Sequence, residues 1–327
     1  MNEIGGYLEF EQLISNEYYS NFIRLNSARN ALYYVVLAKK IKKLYIPSFL
    51  GDSISNFLEK REIEFSFYSV NEQLHPPLTL KLKEDEYLYV VNFYGQLTNA
   101  RIHQLKVHYE RIIVDNTQSF FQRPVQYVDT IYSCRKYFGV PDGAYLSTNS
   151  TLAIELKSNE VSNRMGHLLG RVEHGANEHY TDYQQAEKEI DEQQLLAMSK
   201  VTANLLGALP YESIVEKRNE NYQFLHSHLK EFNLLQLLIP YAPFCYPLLV
   251  KNAQKLRERL LEKKIYVPLY WQQVIDNQEA GEMEKLYALE ILPLPCDQRY
   301  SPEQLKVIIE EIKGWIQIEN GNLFENV

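Results

Sequence analysis

The chain has 327 residues, 45% hydrophobic and 23% charged, with a formal net charge of −8. That length accommodates one large domain and a smaller one, and the apolar share is that of a globular protein. The acidic balance argues against a nucleic-acid groove, and no apolar run reaches the roughly 20 residues of a membrane span.

Asn2 to Tyr7 lead straight into Glu9 and Glu11, which is not a signal-peptide pattern. Next comes LNSARNAL, where Ser27 immediately precedes a helical run to Lys40. Backbone N–H groups at such a helix start can cradle a phosphate, with the Ser27 hydroxyl and the Arg29 guanidinium adding to it. The basic run Lys39 to Lys43 sits at the predicted helix end, where cations suit the helix dipole. Leu44 to Pro47, Glu64 to Val70, Tyr87 to Phe93, Arg111 to Asp115 and Val128 to Ser133 are rich in β-branched and aromatic residues and read as strands. Asp52 to Glu62 and Ala100 to Glu110 carry the helical period. This alternation predicts an α/β fold, a mostly parallel sheet sandwiched by helices, with ligands outside the carboxyl ends of the strands.

From about Tyr180 to Phe232 the pattern is helical, first as one long helix or two consecutive ones, then as a helix with Pro210 at its first position. A strand (FCYPLLV), a helix over Asn252 to Lys263, a strand or loop (YVPLYW), an apolar run (EILPLP) and a helix from Ser301 to Ile318 follow. Residues 236–327 therefore read as a small α+β domain after a large domain over 1–235. Glu319 to Val327 are expected to fray. Cys134, Cys245 and Cys296 are far apart and read as reduced, buried thiols of a cytoplasmic protein. The histidines form no metal-ligand pattern, so no metal site is expected. The 25 tyrosines read as amphipathic filler of core and interface edges.

The stretch Ile112 to Leu146 carries the chemistry. IIVDNTQSFF ends a strand in Asp115, and IYSCRKYFGVPDGAYL ends the next in Ser133, with Lys136 just beyond and a tight turn at Gly143. A carboxylate and an amine on neighbouring strand ends suit a pyridoxal phosphate (PLP) ring, held at its nitrogen and its aldehyde carbon. Such a lysine needs a lowered pKa, and such a carboxylate needs a cationic partner. Gln118 is placed to reach the ring or its phenolic oxygen, and Ser133 to bind the phosphate or cap the turn. Arg171 and Arg218 are read as surface helix residues.

Taken together these segments resemble the DegT/DnrJ/EryC1/StrS aminotransferases, the sugar aminotransferases of PLP fold type I. LNSARNALYYVV is similar to the family's phosphate-binding helix start, which implies a phosphate role for Ser27, Ala28 and Arg29. IPSFLGDSI, IIVDNTQSFF, YSCRKYFGVPDGAYL and EILPLPCDQRYSPEQLKVI each resemble a family signature. The resemblance implies that Asp115 partners the pyridinium, Gln118 contacts the ring, Ser133 binds phosphate and Lys136 forms the Schiff base. It also implies transfer of an amino group from an amino acid, glutamate in the family, to a nucleotide-linked keto-sugar in a homodimer. The chain departs from the family in a shorter Ser133-to-Lys136 gap, in Arg29 for a threonine or serine, and in Ala144 for the second glycine. Gly51 stands where many members have an aromatic that stacks on the ring, with Phe49 and Phe93 as candidates for that role. Two other readings are a sugar dehydratase, whose family relatives lack the lysine, and a binding protein that kept the fold.

Overall fold

Five parallel strands make the centre of the molecule. The computed structural model describes residues 4–325, with side chains through Ile318. In chain order the large sheet is built from β1 (Ile23–Leu25), α1 (Ala28–Lys39), β2 (Lys43–Pro47), α2 (Ser53–Glu59), β3 (Glu64–Tyr68), β4 (Glu86–Val91), α3 (Asn99–Tyr109), β5 (Ile112–Asp115), β6 (Asp129–Ser133) and β7 (Ala144–Ser147). Its spatial order is β1-β7-β6-β5-β4-β2-β3. Strands β2 to β6 run parallel, while β7 is antiparallel to both β6 and β1. All residues of β5 and β6 are buried, as expected of parallel strands covered on both faces.

The five strands expected from sequence are present, with no end moved by more than two residues. Strands β1 and β7 were not foreseen. With three and four residues they are too short to show an alternation. They form because Ala144 of β7 pairs with Ser133 on one side and Leu25 on the other, closing the sheet beyond β6.

The helical stretch divides into α4 (Gly166–Glu173), α5 (Tyr180–Asp191), α6 (Lys200–Gly207) and α7 (Tyr211–Leu229). Between α5 and α6 the chain is tied to the start of α1, where Asn26 and Asn30 donate to the Gln194 carbonyl at 3.0 and 2.8 Å. Pro210 sits one residue before α7, in the capping position rather than the first helical one.

A second sheet pairs β8 (Tyr246–Leu249) with β9 (Ile291–Leu294), and α8 (Ala253–Glu262), α9 (Glu282–Glu290) and α10 (Pro302–Glu325) complete this part. YVPLYW is irregular and ends in Trp271, whose backbone is left-handed. Helix α10 continues to Glu325, through most of the stretch expected to fray; residues 326 and 327 lie outside the described part. Leu225 and Leu229 of α7 share a core with Leu248, Leu256, Leu292 and Ile309. Glu284 of α9 ties this region to the large sheet. Its buried carboxylate accepts from the Ser48 hydroxyl at 2.8 Å, the Val70 N–H at 2.9 Å and the Gly281 N–H at 2.8 Å. Among the described residues no helix is long and apolar enough to cross a membrane.

Candidate active site

Strands β5 and β6 are parallel neighbours, so Asp115 and Ser133 leave the same end of the sheet. Asp115 lies in register with Ile131, and Ser133 follows two residues later. Period-two alternation then puts Asp115 and Ser133 on one face. Lys136 closes a single 3-10 turn, Cys134–Lys136, directly after β6. The turn is anchored by Tyr137 and Phe138, which are buried in an aromatic cluster with Phe120, Phe121 and Tyr211.

The Asp115 carboxylate is buried and bonded only to neutral donors. Tyr89 of β4 donates its hydroxyl to Oδ2, and the Thr117 N–H reaches Oδ1 at 2.7 Å. Burial raises the Asp115 pKa above the usual carboxylate value, against the pull of these donors and of Lys136. Lys136 shows the converse. Its side chain is open on one side, yet protein surrounds it deeply enough for burial to lower its pKa to about 8, with Arg135 and Arg29 adding to the shift. Its amine makes no hydrogen bond or ion pair. A neutral amine is what attack on a carbonyl requires, and it predominates above the pKa. The rate of PLP capture should therefore climb as pH rises through about 8 and then level off, which stopped-flow absorbance would record.

Ser27 caps α1, its hydroxyl accepting from the Asn30 N–H at 3.2 Å. The N–H groups of Ala28 and Arg29 face outward without an intrahelical partner, as at any helix start. Ser133 is nine-tenths buried and its hydroxyl makes no hydrogen bond. Gln118 accepts from the Tyr94 N–H at 2.7 Å through its Oε1, leaving its amide nitrogen without a partner.

No family model and no curated protein matches the sequence. Solved structures do match in fold. A DegT DnrJ EryC1 StrS aminotransferase from Brucella abortus aligns over 90% of this chain and 85% of its own, at 16% identity and a TM-score of 0.62. DesV from S. venezuelae aligns over 90% and 84%, at 15% identity and a TM-score of 0.61. NtdA from Bacillus subtilis, solved with bound PMP, aligns over 90% and 73%, at 15% identity and a TM-score of 0.64. The chain shares the fold of these proteins.

Within that fold the departure at Gly51 and the glycine kept at 143 have structural causes. A Cβ on Gly51 would lie 3.1 Å from Cδ1 of Trp271, so an indole from the C-terminal part occupies the space a larger residue would need. Trp271 packs edge-on to Phe49 and Phe93, with ring centroids 4.8 and 5.2 Å away. Both phenylalanines are sealed in the core and offer no face to a ligand, contrary to the expectation from sequence. Gly143 has φ +113°, and a Cβ there would meet Thr202 at 2.9 Å. The neighbouring Asp142 is fully buried. It accepts from the Ser199 N–H and hydroxyl at 3.0 and 2.8 Å, from Asn159 at 2.8 Å and from the Thr202 hydroxyl. This carboxylate locks the turn after Lys136 to the start of α6. Asp142→Ala strands several buried donors and should cost about 3 kcal/mol of stability, read by urea denaturation.

Arg218 is corrected from a surface residue to one of the most buried side chains. It donates to Gln298 and to the Pro243 carbonyl, each at 2.8 Å, and lies over the Tyr137 ring. Arg171 is exposed, as expected. The ring nitrogens of His174 and His179 approach to 3.4 Å, and no metal-binding group of three or more side chains occurs among the described residues. Sequence reasoning missed Tyr89 and Asp191. Tyr89 was open to register arithmetic: it lies two residues before Val91, which pairs with Asp115.

Proposed function

We propose that the chain is a PLP-dependent aminotransferase that moves an amino group from an amino acid, glutamate, to a nucleotide-linked keto-sugar. The observation that carries this reading is a buried carboxylate with only neutral donors beside a lysine whose amine is unpaired and easily deprotonated. Both groups lack a partner of the kind the PLP ring offers, a protonated nitrogen for one and an aldehyde carbon for the other. The residues present therefore fit the cofactor.

When bound, PLP supplies an electron sink that stabilises negative charge at the donor's Cα. Asp115 would accept the N–H of the ring nitrogen and keep the proton there. Lys136 would hold the aldehyde carbon and, as a neutral amine, would be the group to take up and return the proton at the donor's Cα. Ser133, Ser27 and the N–H groups of Ala28 and Arg29 would hold the phosphate. The amide nitrogen of Gln118 is the group left to reach the ring. We further propose a cytoplasmic homodimer and a division of the chain near residue 235 into a large and a small domain.

Incubation of the PLP-loaded protein with glutamate should convert it to the aminated form, seen as loss of the long-wavelength band. Keto-sugar nucleotides should then restore that band and take up nitrogen from labelled glutamate. If amino acids leave the spectrum of the loaded protein unchanged, the reading is wrong.

A further inference from the structure

The guanidinium groups of Arg29 and Arg135 near Lys136 have no part in the scheme above, although the sequence suggested the first as an addition to a phosphate cradle. Arg29 is the second residue of α1 and Arg135 immediately precedes Lys136. Both side chains are 17% exposed, and both lie within electrostatic reach of Lys136. Each is paired with a carboxylate of α5, Arg29 with Asp191 and Arg135 with Glu187. Those carboxylates lie four residues apart on one helix face and are more open than their partners, at 50% and 34%. Helix α5 buries only Ala186 and Ile190, so little apolar packing holds it in place. The same region contains the unbonded, nine-tenths-buried Ser133 hydroxyl and the free N–H groups at the start of α1.

We propose that Arg29 and Arg135 form a site for a phosphate dianion beside Lys136, and that Asp191 and Glu187 hold this site until the phosphate displaces them. The phosphate we assign is that of the cofactor, so the identity of the ligand rests on the function proposed above. The exchange is balanced in charge: two carboxylates leave and one dianion arrives. It is favoured by geometry, because guanidinium groups bind phosphate oxygens through paired hydrogen bonds. The displaced carboxylates, already half in water, lose little on leaving. The cofactor would then trade the hold of α5 on the site for its own.

The test uses the full chain with inorganic phosphate, PLP, phosphate-free pyridoxal and a nucleoside diphosphate as probes. Inorganic phosphate should raise the thermal midpoint of the wild type but not that of Arg29→Gln or Arg135→Gln. Each of these variants should bind PLP about 10- to 100-fold more weakly, while pyridoxal binding changes far less. The double variant Glu187→Gln, Asp191→Asn should bind phosphate and PLP more tightly, because the competing carboxylates are gone. It decides the matter alone if an arginine variant does not fold. Wild-type affinity in both arginine variants, or weaker binding in the carboxylate variant, overturns the proposal. Competition with phosphate by the nucleoside diphosphate but not by PLP overturns the assignment to the cofactor. Should phosphate behave as expected while Lys136 captures no PLP, the anion site stands and the proposed function falls.

Discussion

Lys136→Ala is expected to lower the rate of amino-group transfer by about 10,000-fold, since proton transfer by a positioned side chain alone contributes up to about that much. The same variant should lose the long-wavelength absorbance of the PLP-loaded protein. No other described lysine combines position at a strand end beside Asp115 with a burial-lowered pKa near 8. An added primary amine should restore part of the proton transfer in the alanine variant, because the space vacated by the side chain lies beside the reacting carbon. Retention of the long-wavelength band in Lys136→Ala would move the chemistry to another amine. The stability of the fold should change little, since the Lys136 amine makes no bond in the free chain.

Asp115→Asn is expected to act in opposite directions on activity and on stability. Losing a buried charge opposite a protonated ring nitrogen should cost about 3 to 5 kcal/mol, a fall of about 100- to 5,000-fold in rate. The cofactor-free chain should nevertheless become more stable at neutral pH. In the folded state the Asp115 pKa is raised above its unfolded value, chiefly by burial. Between the two values the folded state binds more protons than the unfolded one, so wild-type stability declines as pH rises through that window. Asparagine removes the cost because it carries no charge to bury. Thermal midpoints of both cofactor-free proteins from pH 4 to 8 would show it, as a gap that opens with rising pH. A variant less stable than wild type at pH 7 would mean that the Tyr89 and Thr117 hydrogen bonds outweigh the burial of charge.

The parallel sheet was legible because its inner strands are continuous apolar runs between helical segments. The placement of Asp115, Ser133 and Lys136 at neighbouring strand ends was legible because each follows directly on an apolar run, and strand ends in such sheets are where ligands bind. What stayed hidden depends on distant pairing. Nothing local in Ala144–Ser147 marks a strand, since it forms by pairing on both sides. Trp271 lies far along the chain from Gly51, and only the fold brings the indole against that glycine. Arg218 reads as a solvent-facing helix residue, yet its guanidinium is satisfied by Gln298 and by the Pro243 carbonyl from another part of the chain. The pairing of Arg29 and Arg135 with α5 is likewise a tertiary fact, invisible to periodicity.

The most direct test of this account is reduction of the PLP-loaded chain with borohydride, followed by digestion and mass mapping of the modified peptide. The account predicts a single pyridoxyl group, on Lys136. Labelling confined to a different lysine, or none at all, would contradict it.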